Sequence, residues 1–285
     1  MNLVPVKEPV TGRVVSNDRC LKGKSSSFVR HLVVDVAGTP LAGNFLVGQS
    51  FGVIPPGVDE NGKPHKVRLF SIACSSSGED GRPYILSTTA KRVIDEFKSQ
   101  KPTNDPEDHI LFLGLCSNYL CDRRPGDELK ITGPNGKRFL LPVNPADHDY
   151  LVVATGTGIA PYRGMLMELL DGPSGPCPSQ LHLVMGSPYT TDLLYDDLFC
   201  RLQAAHDNFH YHTAISREPR PGSRCGIYTH QLIDEQIDRF RPLLQNPRTV
   251  IYICGLLGMQ IGLYQVLAKH GLADGFLKIG QELQA

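Results

Sequence analysis

The chain has 285 residues, with 29 Lys and Arg against 29 Asp and Glu, 41% hydrophobic and 20% charged residues. That length suffices for two ordinary domains, each with its own core, and the zero net charge gives no support to nucleic-acid binding. No apolar run approaches the ~20 residues that a transmembrane helix needs, and Met1-Asn2-Leu3-Val4-Pro5 lacks a basic-then-apolar leader pattern, so no membrane span and a cytoplasmic location are expected.

In chain order, the first half consists of short β-segments between Gly, Pro and Ser clusters: Phe28 to Val36, Ser50 to Ile54, Val67 to Ala73, Tyr84 to Thr88, Asp127 to Ile131 and Phe139 to Leu141. Frequent turns between short strands predict an antiparallel barrel or sandwich. Pro142 to Asp147 then acts as a linker. From Tyr150 the pattern changes to apolar runs, Leu151 to Ala154, Leu181 to Met185 and Thr249 to Cys254, each followed by helical spacing, at Tyr162 to Leu170, Asp192 to Ala205 and Met259 to Lys269. Strands buried on both faces and alternating with helices predict a parallel sheet with helical crossovers.

Charge and cysteine spacing narrow the chemistry. Residues 1–148 carry 19 Lys and Arg against 16 Asp and Glu, the rest 10 against 13; a basic face for an acidic protein partner and an ordinary solvated surface both fit so small an excess. None of the eight cysteines forms a Cys-x-x-Cys pair, and Arg124 stands where an iron–sulfur ligand would follow Cys116 and Cys121, so free thiols and no metal are expected. His206, His210 and His212 lack a carboxylate to complete a ligand set and are taken as exposed, and Asp196 and Asp197 as solvated charge.

Three segments carry function. Arg68-Leu69-Phe70-Ser71 alone is an ordinary strand. Gly156-Thr157-Gly158-Ile159-Ala160-Pro161 follows a strand and opens a helix, which aims free amides at a diphosphate, with Pro161 in the first turn where no amide hydrogen is needed. Ser216 and Arg217 offer a hydroxyl and a guanidinium to a phosphate, with Tyr228 as a stacking ring; pairing of Arg217 with Glu218 or solvent is the competing reading.

Wider matches decide between these readings. Gly48 to Gly57, Asn61 to Val67, Cys116 to Asp122, Pro125 to Glu128 and Lys130 to Pro134 together resemble the plant-type ferredoxin–NADP reductase family, from about Lys7 to His270. The resemblance implies an FAD-binding β-barrel domain over 1–146 and an NADP-binding α/β domain over 147–285. It places Arg68 on the flavin pyrophosphate, Phe70 beside the isoalloxazine and Ser71 near N5, with Gly114, Leu115, Cys116 and Ser117 as the other wall. For NADP(H) it implies Ser216 and Arg217 on the 2′-phosphate, Tyr228 on the adenine and Lys91 adding charge. Thr157, Gly158, the Gly186-Ser187-Pro188 turn, Cys254, Gly255 and Leu256 then line the channel to the flavin. Ser71 and Cys254 are the implied catalytic residues.

The implied activity is hydride exchange with NADP(H) and single-electron exchange with a ferredoxin or flavodoxin. Lys22, Lys24, Arg30, Lys63, Lys66, Lys137 and Arg138 are candidate docking charges, with plain solvent exposure as the equal alternative. The reductase component of an oxygenase system and a nucleotide-binding module with impaired turnover are the other readings. The chain departs from the family in three places. Phe70 stands where tyrosine is usual, which costs about 0.5–1.5 kcal/mol if that hydrogen bond is otherwise made. Asp95 and Glu96 stand near the usual adenine-stacking aromatic, with Phe97 a substitute, and the loop Lys101 to His109 is long. Gly280 to Ala285 has no counterpart of the family's terminal glutamate and tyrosine: either the sequence stops early or the cap is lost, and with the cap lost a less covered flavin face is expected.

Overall fold

The computed structural model describes residues 2–23, 25, 27–97 and 110–276. Packing divides the chain into two compact units. The first comprises Met1–Leu21, Ser26–Leu140 and Arg163–Glu168, the second Lys22–Ser25, Leu141–Tyr162 and Leu169–Ala285. Among the described residues, no helix is long and apolar enough to cross a membrane.

The first unit contains β1 (Val10–Arg19), β2 (Val29–Asp35), β3 (Ser50–Ile54), β4 (Arg68–Ser71), β5 (Ile85–Lys91), β6 (Ile94–Phe97), β7 (Ile110–Leu113), α1 (Leu115–Cys121) and β8 (Glu128–Asn135). Six strands make one antiparallel sheet in the order β4-β3-β8-β1-β2-β5, and β6 and β7 form a separate ribbon. The sheet curls until its edges meet: Ala73 N–H donates to Ser87 O at 2.8 Å, and the Thr88 hydroxyl donates to Ser71 O at 2.7 Å. This is the expected barrel, filled by Leu32, Val34, Phe51, Val53, Leu129 and Ile131, each such burial stabilising by about 1.5–3 kcal/mol.

A charged group is sealed into this unit. Glu79, 6% exposed, accepts from both terminal nitrogens of Arg163 at 2.9 and 2.6 Å and from the Ser87 hydroxyl at 2.6 Å. Burial opposes its charge, but hydrogen bonds from His31 and Arg163 outweigh that and hold its carboxyl well below the usual range.

One expectation fails here. Phe139 to Leu141 is not a strand, because β8 ends at Asn135 and Gly136, at φ +107°, turns the chain out of the ladder. The Lys22 ammonium pairs with Asp196 at 3.5 Å and with the exposed Asp197 at 2.5 Å.

The second unit contains β9 (Asp149–Thr155), α2 (Ala160–Asp171), β10 (Leu181–Ser187), α3 (Asp196–Ala205), β11 (Phe209–Ile215), α4 (Thr229–Glu235), α5 (Ile237–Leu244), β12 (Thr249–Cys254) and α6 (Leu257–Lys269). The strands form a parallel sheet in the order β11-β10-β9-β12. β10 is buried along its whole length, as its apolar run predicts. Helix α3 starts later than the sequence pattern suggests, because a 3-10 turn at Thr190–Asp192 and Tyr195 at φ +58° intervene.

The histidines are not all exposed. His212 is 7% and His182 8% exposed; their Nε2 and Nδ1 atoms lie 3.3 Å apart, their rings stack, and Phe240 of α5 covers both. His210 packs against His182 from the next strand with its ring tilted by 49°, whereas His206 turns away to Asp171 at 3.1 Å. Burial, then the neighbouring His210 and His212, pushes His182 down to about 3; burial, then Arg239 and His210, pushes His212 down to about 4. Both rings are therefore neutral when folded, while the unfolded chain takes up protons below about pH 6.5. Stability is full above that pH and is lost as pH falls toward about 4, by about 2 kcal/mol per ring at pH 5. Chemical denaturation at pH 7 and pH 5 should show this loss, and His182→Leu should roughly halve it.

Candidate functional site

The residues that the resemblance singles out fall in both units. In the first, β4 pairs with β3 so that Arg68 faces Val53 and Phe70 faces Phe51 in register. Phe70 is half-buried against the barrel core, and Arg68 is exposed. The guanidinium makes one long contact, to Val67 O at 3.4 Å, and no ion pair among the described residues. It is a cation available to a ligand.

The second wall is α1, which the sequence pattern did not mark as a helix. Its first turn carries no side-chain cap and no acidic residue, so its amides stand open to an anion. The Cys116 thiol points to Val53 O at 3.9 Å, and burial pushes it up to about 11 while the nearby charge of Arg68 opposes that shift. Arg68 and the start of α1 thus meet across β3. Gly114 has no room for a side chain, since a Cβ would lie 2.7 Å from Ser117 Oγ and 2.8 Å from Val93 Cβ. Ser117 itself is engaged, its hydroxyl donating to Gly114 O at 3.0 Å. Ser71 is half-buried at the end of β4, and Lys91 is exposed at the end of β5. Arg92, next to Lys91, is fixed by Asn118 at 2.7 Å and by Asp122.

In the second unit the strand order reverses at β9, with β10 and β11 on one side and β12 on the other. Ligands of open α/β sheets lie at the carboxyl ends of the strands at such a point. There the Gly156-Thr157-Gly158 turn leads into α2, and Cys254-Gly255-Leu256 leaves β12. A Cβ on Gly158 would lie 2.2 Å from Cys254 O, so only glycine lets the loop rest on that strand end. Burial raises the Cys254 thiol, which is protonated at neutral pH. Leu256 is 76% exposed, at the threshold of α6.

Ser216 and Arg217 follow β11, with Arg217 N–H on Pro188 O at 2.9 Å. Glu218 is not the partner of Arg217: its carboxylate accepts from the Thr190 amide and hydroxyl at 2.7 and 3.1 Å. The Arg217 guanidinium has no ion pair among the described residues and is exposed. Tyr228 is 58% exposed, with one face stacked on His230 at 5.9 Å and 7°. His230 escaped the sequence reading, although its spacing two residues from Tyr228 at a helix start was visible.

The family model described as the oxidoreductase NAD-binding domain matches residues 152–263. The ferredoxin–NADP reductase of Thermosynechococcus vestitus is 36% identical over 278 residues, covering 96% of this chain and 69% of that protein. That of Spirulina is 37% identical over 266 residues, covering 92% and 87%. The chain belongs to the ferredoxin–NADP reductase family. It is an oxidoreductase. In fold it resembles the ferredoxin-NADP+ reductase of Plasmodium falciparum solved with 2′P-AMP, with a TM-score of 0.74 at 24% identity, over 94% of this chain and 95% of that one.

Some expectations for this reductase fall outside the described residues or side chains: Lys24, Phe97, the loop Lys101 to His109 and Gly280 to Ala285. The contact at Gly158 gives a direct test. Gly158→Ala should destabilise the protein by about 1–3 kcal/mol in chemical denaturation, because the added carbon overpacks a backbone carbonyl. Gly258→Ala in α6, where a Cβ meets nothing within 4 Å, should cost nothing.

Proposed function

We propose that this reductase binds FAD in its first unit and NADP(H) in its second, and exchanges electrons with a ferredoxin, a flavodoxin being the second candidate carrier. The observation that carries the flavin reading is the unpaired Arg68 guanidinium beside the uncapped, acid-free first turn of α1. A cation and open amides against a glycine wall fit a pyrophosphate. When bound, FAD supplies the exchange between a hydride and single electrons.

The chain's own groups have separate tasks in this reading. Arg68 and the amides around Cys116 and Ser117 hold the pyrophosphate, with Leu115 beside them. Phe70, braced by the barrel core, flanks the isoalloxazine, and the Ser71 hydroxyl donates at N5. In the second unit the Thr157 and Gly158 amides take the nicotinamide nucleotide's diphosphate. Cys254, Gly255 and Leu256 border the nicotinamide, with Cys254 a neutral packing thiol rather than a nucleophile.

Coenzyme choice rests on Ser216 and Arg217. The Plasmodium falciparum structure holds 2′P-AMP, the 2′-phosphate-bearing fragment, and Arg217 offers an unengaged fork to that group here. Tyr228, backed by His230, supplies a flat face for the adenine. Lys91 adds positive charge, and Lys63, Lys66, Lys137 and Arg138, all exposed, provide candidate docking cations for an acidic carrier.

Binding measurements test this assignment. The purified chain should carry one FAD, and Arg68→Ala should lose it on dilution. Calorimetric titration should favour NADP+ over NAD+ by about 100-fold. Arg217→Ala should lower NADP+ affinity by about 10-fold or more and leave NAD+ within about 2-fold. Equal affinity for the two coenzymes overturns the coenzyme reading, and a chain that takes up no FAD overturns the flavin reading.

A further inference from the structure

The three residues that follow β11 are anchored one after another on the segment that follows β10. Ser216 N–H donates to Ser187 O at 2.9 Å, Arg217 N–H donates to Pro188 O at 2.9 Å, and the Glu218 carboxylate accepts from the amide and hydroxyl of Thr190 at 2.7 and 3.1 Å. Thr190 opens the 3-10 turn Thr190–Asp192, and the opening amide of such a turn has no carbonyl inside the turn to bond. Glu218 supplies that missing acceptor.

A second acid near this loop is engaged as well. Arg220 gives both terminal nitrogens to Glu235 of α4, at 2.5 and 2.6 Å. Arg217 alone keeps the exposed guanidinium described above, although it precedes Glu218 directly in the chain. That separation is not automatic, because the planar fork of an arginine fits a carboxylate as well as it fits a phosphate. A Glu218 carboxylate without its hold on Thr190 would compete for the fork and repel a bound phosphate.

We propose that Thr190 is a positioning residue for coenzyme choice: its amide and hydroxyl hold the Glu218 carboxylate off Arg217 and so reserve that guanidinium for the 2′-phosphate of NADP(H). This rests on the coenzyme reading of Ser216 and Arg217. Thr190 acts through Glu218 alone.

The test is calorimetric titration of the purified full chain and its variants with NADP+ and with NAD+. Thr190→Pro removes both donors and suits the position. Proline and a 3-10 turn share a φ near about −65°, the first position of a helical turn needs no amide hydrogen, and Tyr189 before it is already extended, at φ −134° and ψ 156°. This variant should lower NADP+ affinity by about 10-fold and leave NAD+ within about 2-fold. Thr190→Val, which keeps the amide, should lose less, about 3-fold. Adding Glu218→Gln to Thr190→Pro should return NADP+ affinity to within about 2-fold of wild type, which a merely distorted loop would not allow. The proposal is overturned, with the coenzyme reading intact, if wild type prefers NADP+ and Thr190→Pro leaves that affinity within about 2-fold, if NAD+ falls in parallel, or if Glu218→Gln fails to restore binding. Wild-type protein that binds the two coenzymes equally overturns the coenzyme reading, and this inference with it.

Discussion

The carbonyl of Cys254 occupies the space where a side chain on Gly158 would begin, and the second unit's chemistry is organised around that approach. Parallel pairing of β9 with β12 aligns Ala154 with Cys254, so both strands release their loops at the same level. The loop from β9 turns into α2, while the loop from β12 carries Gly255 and Leu256 into α6. A larger residue at Gly158 would push these apart. The half-buried, protonated thiol of Cys254 is a by-product of the same close packing.

The first unit solves a different problem, which is to present a cation without burying it. β4 is held by β3, so the backbone around Arg68 is fixed while its side chain remains exposed. Beneath it the barrel is closed by Ala73 and Ser87 and pinned by Glu79, whose charge survives burial because Arg163 and Ser87 satisfy it. A buried pair of this kind contributes little net stability, but removing one partner leaves the other charge stranded, at a cost of about 3–5 kcal/mol.

Much of this was legible in the chain itself. β3 and β12 fall at the residues their apolar patterns mark, and β9 and β10 were visible as runs buried on both faces. β1 was hidden because Arg13, Asn17 and Asp18 break its apolar content, although Val14 points inward. α1, α4 and α5 are too short for a helical period to stand out, and Pro242 interrupts α5. The fate of Arg217 depended on Glu218 being taken by Thr190, and the burial of His212 on Phe240 arriving from a distant helix. Such long-range contacts leave no local pattern.

The central claim is that one chain joins a flavin to a 2′-phosphate-selective nucleotide site. Anaerobic rapid mixing of the purified protein with NADPH, and separately with NADH, while following the flavin absorbance near ~450 nm, tests it most directly. The account predicts fast bleaching with NADPH and much slower bleaching with NADH at the same concentration. Bound flavin that stays oxidised in NADPH, or bleaches equally fast with either coenzyme, would contradict it.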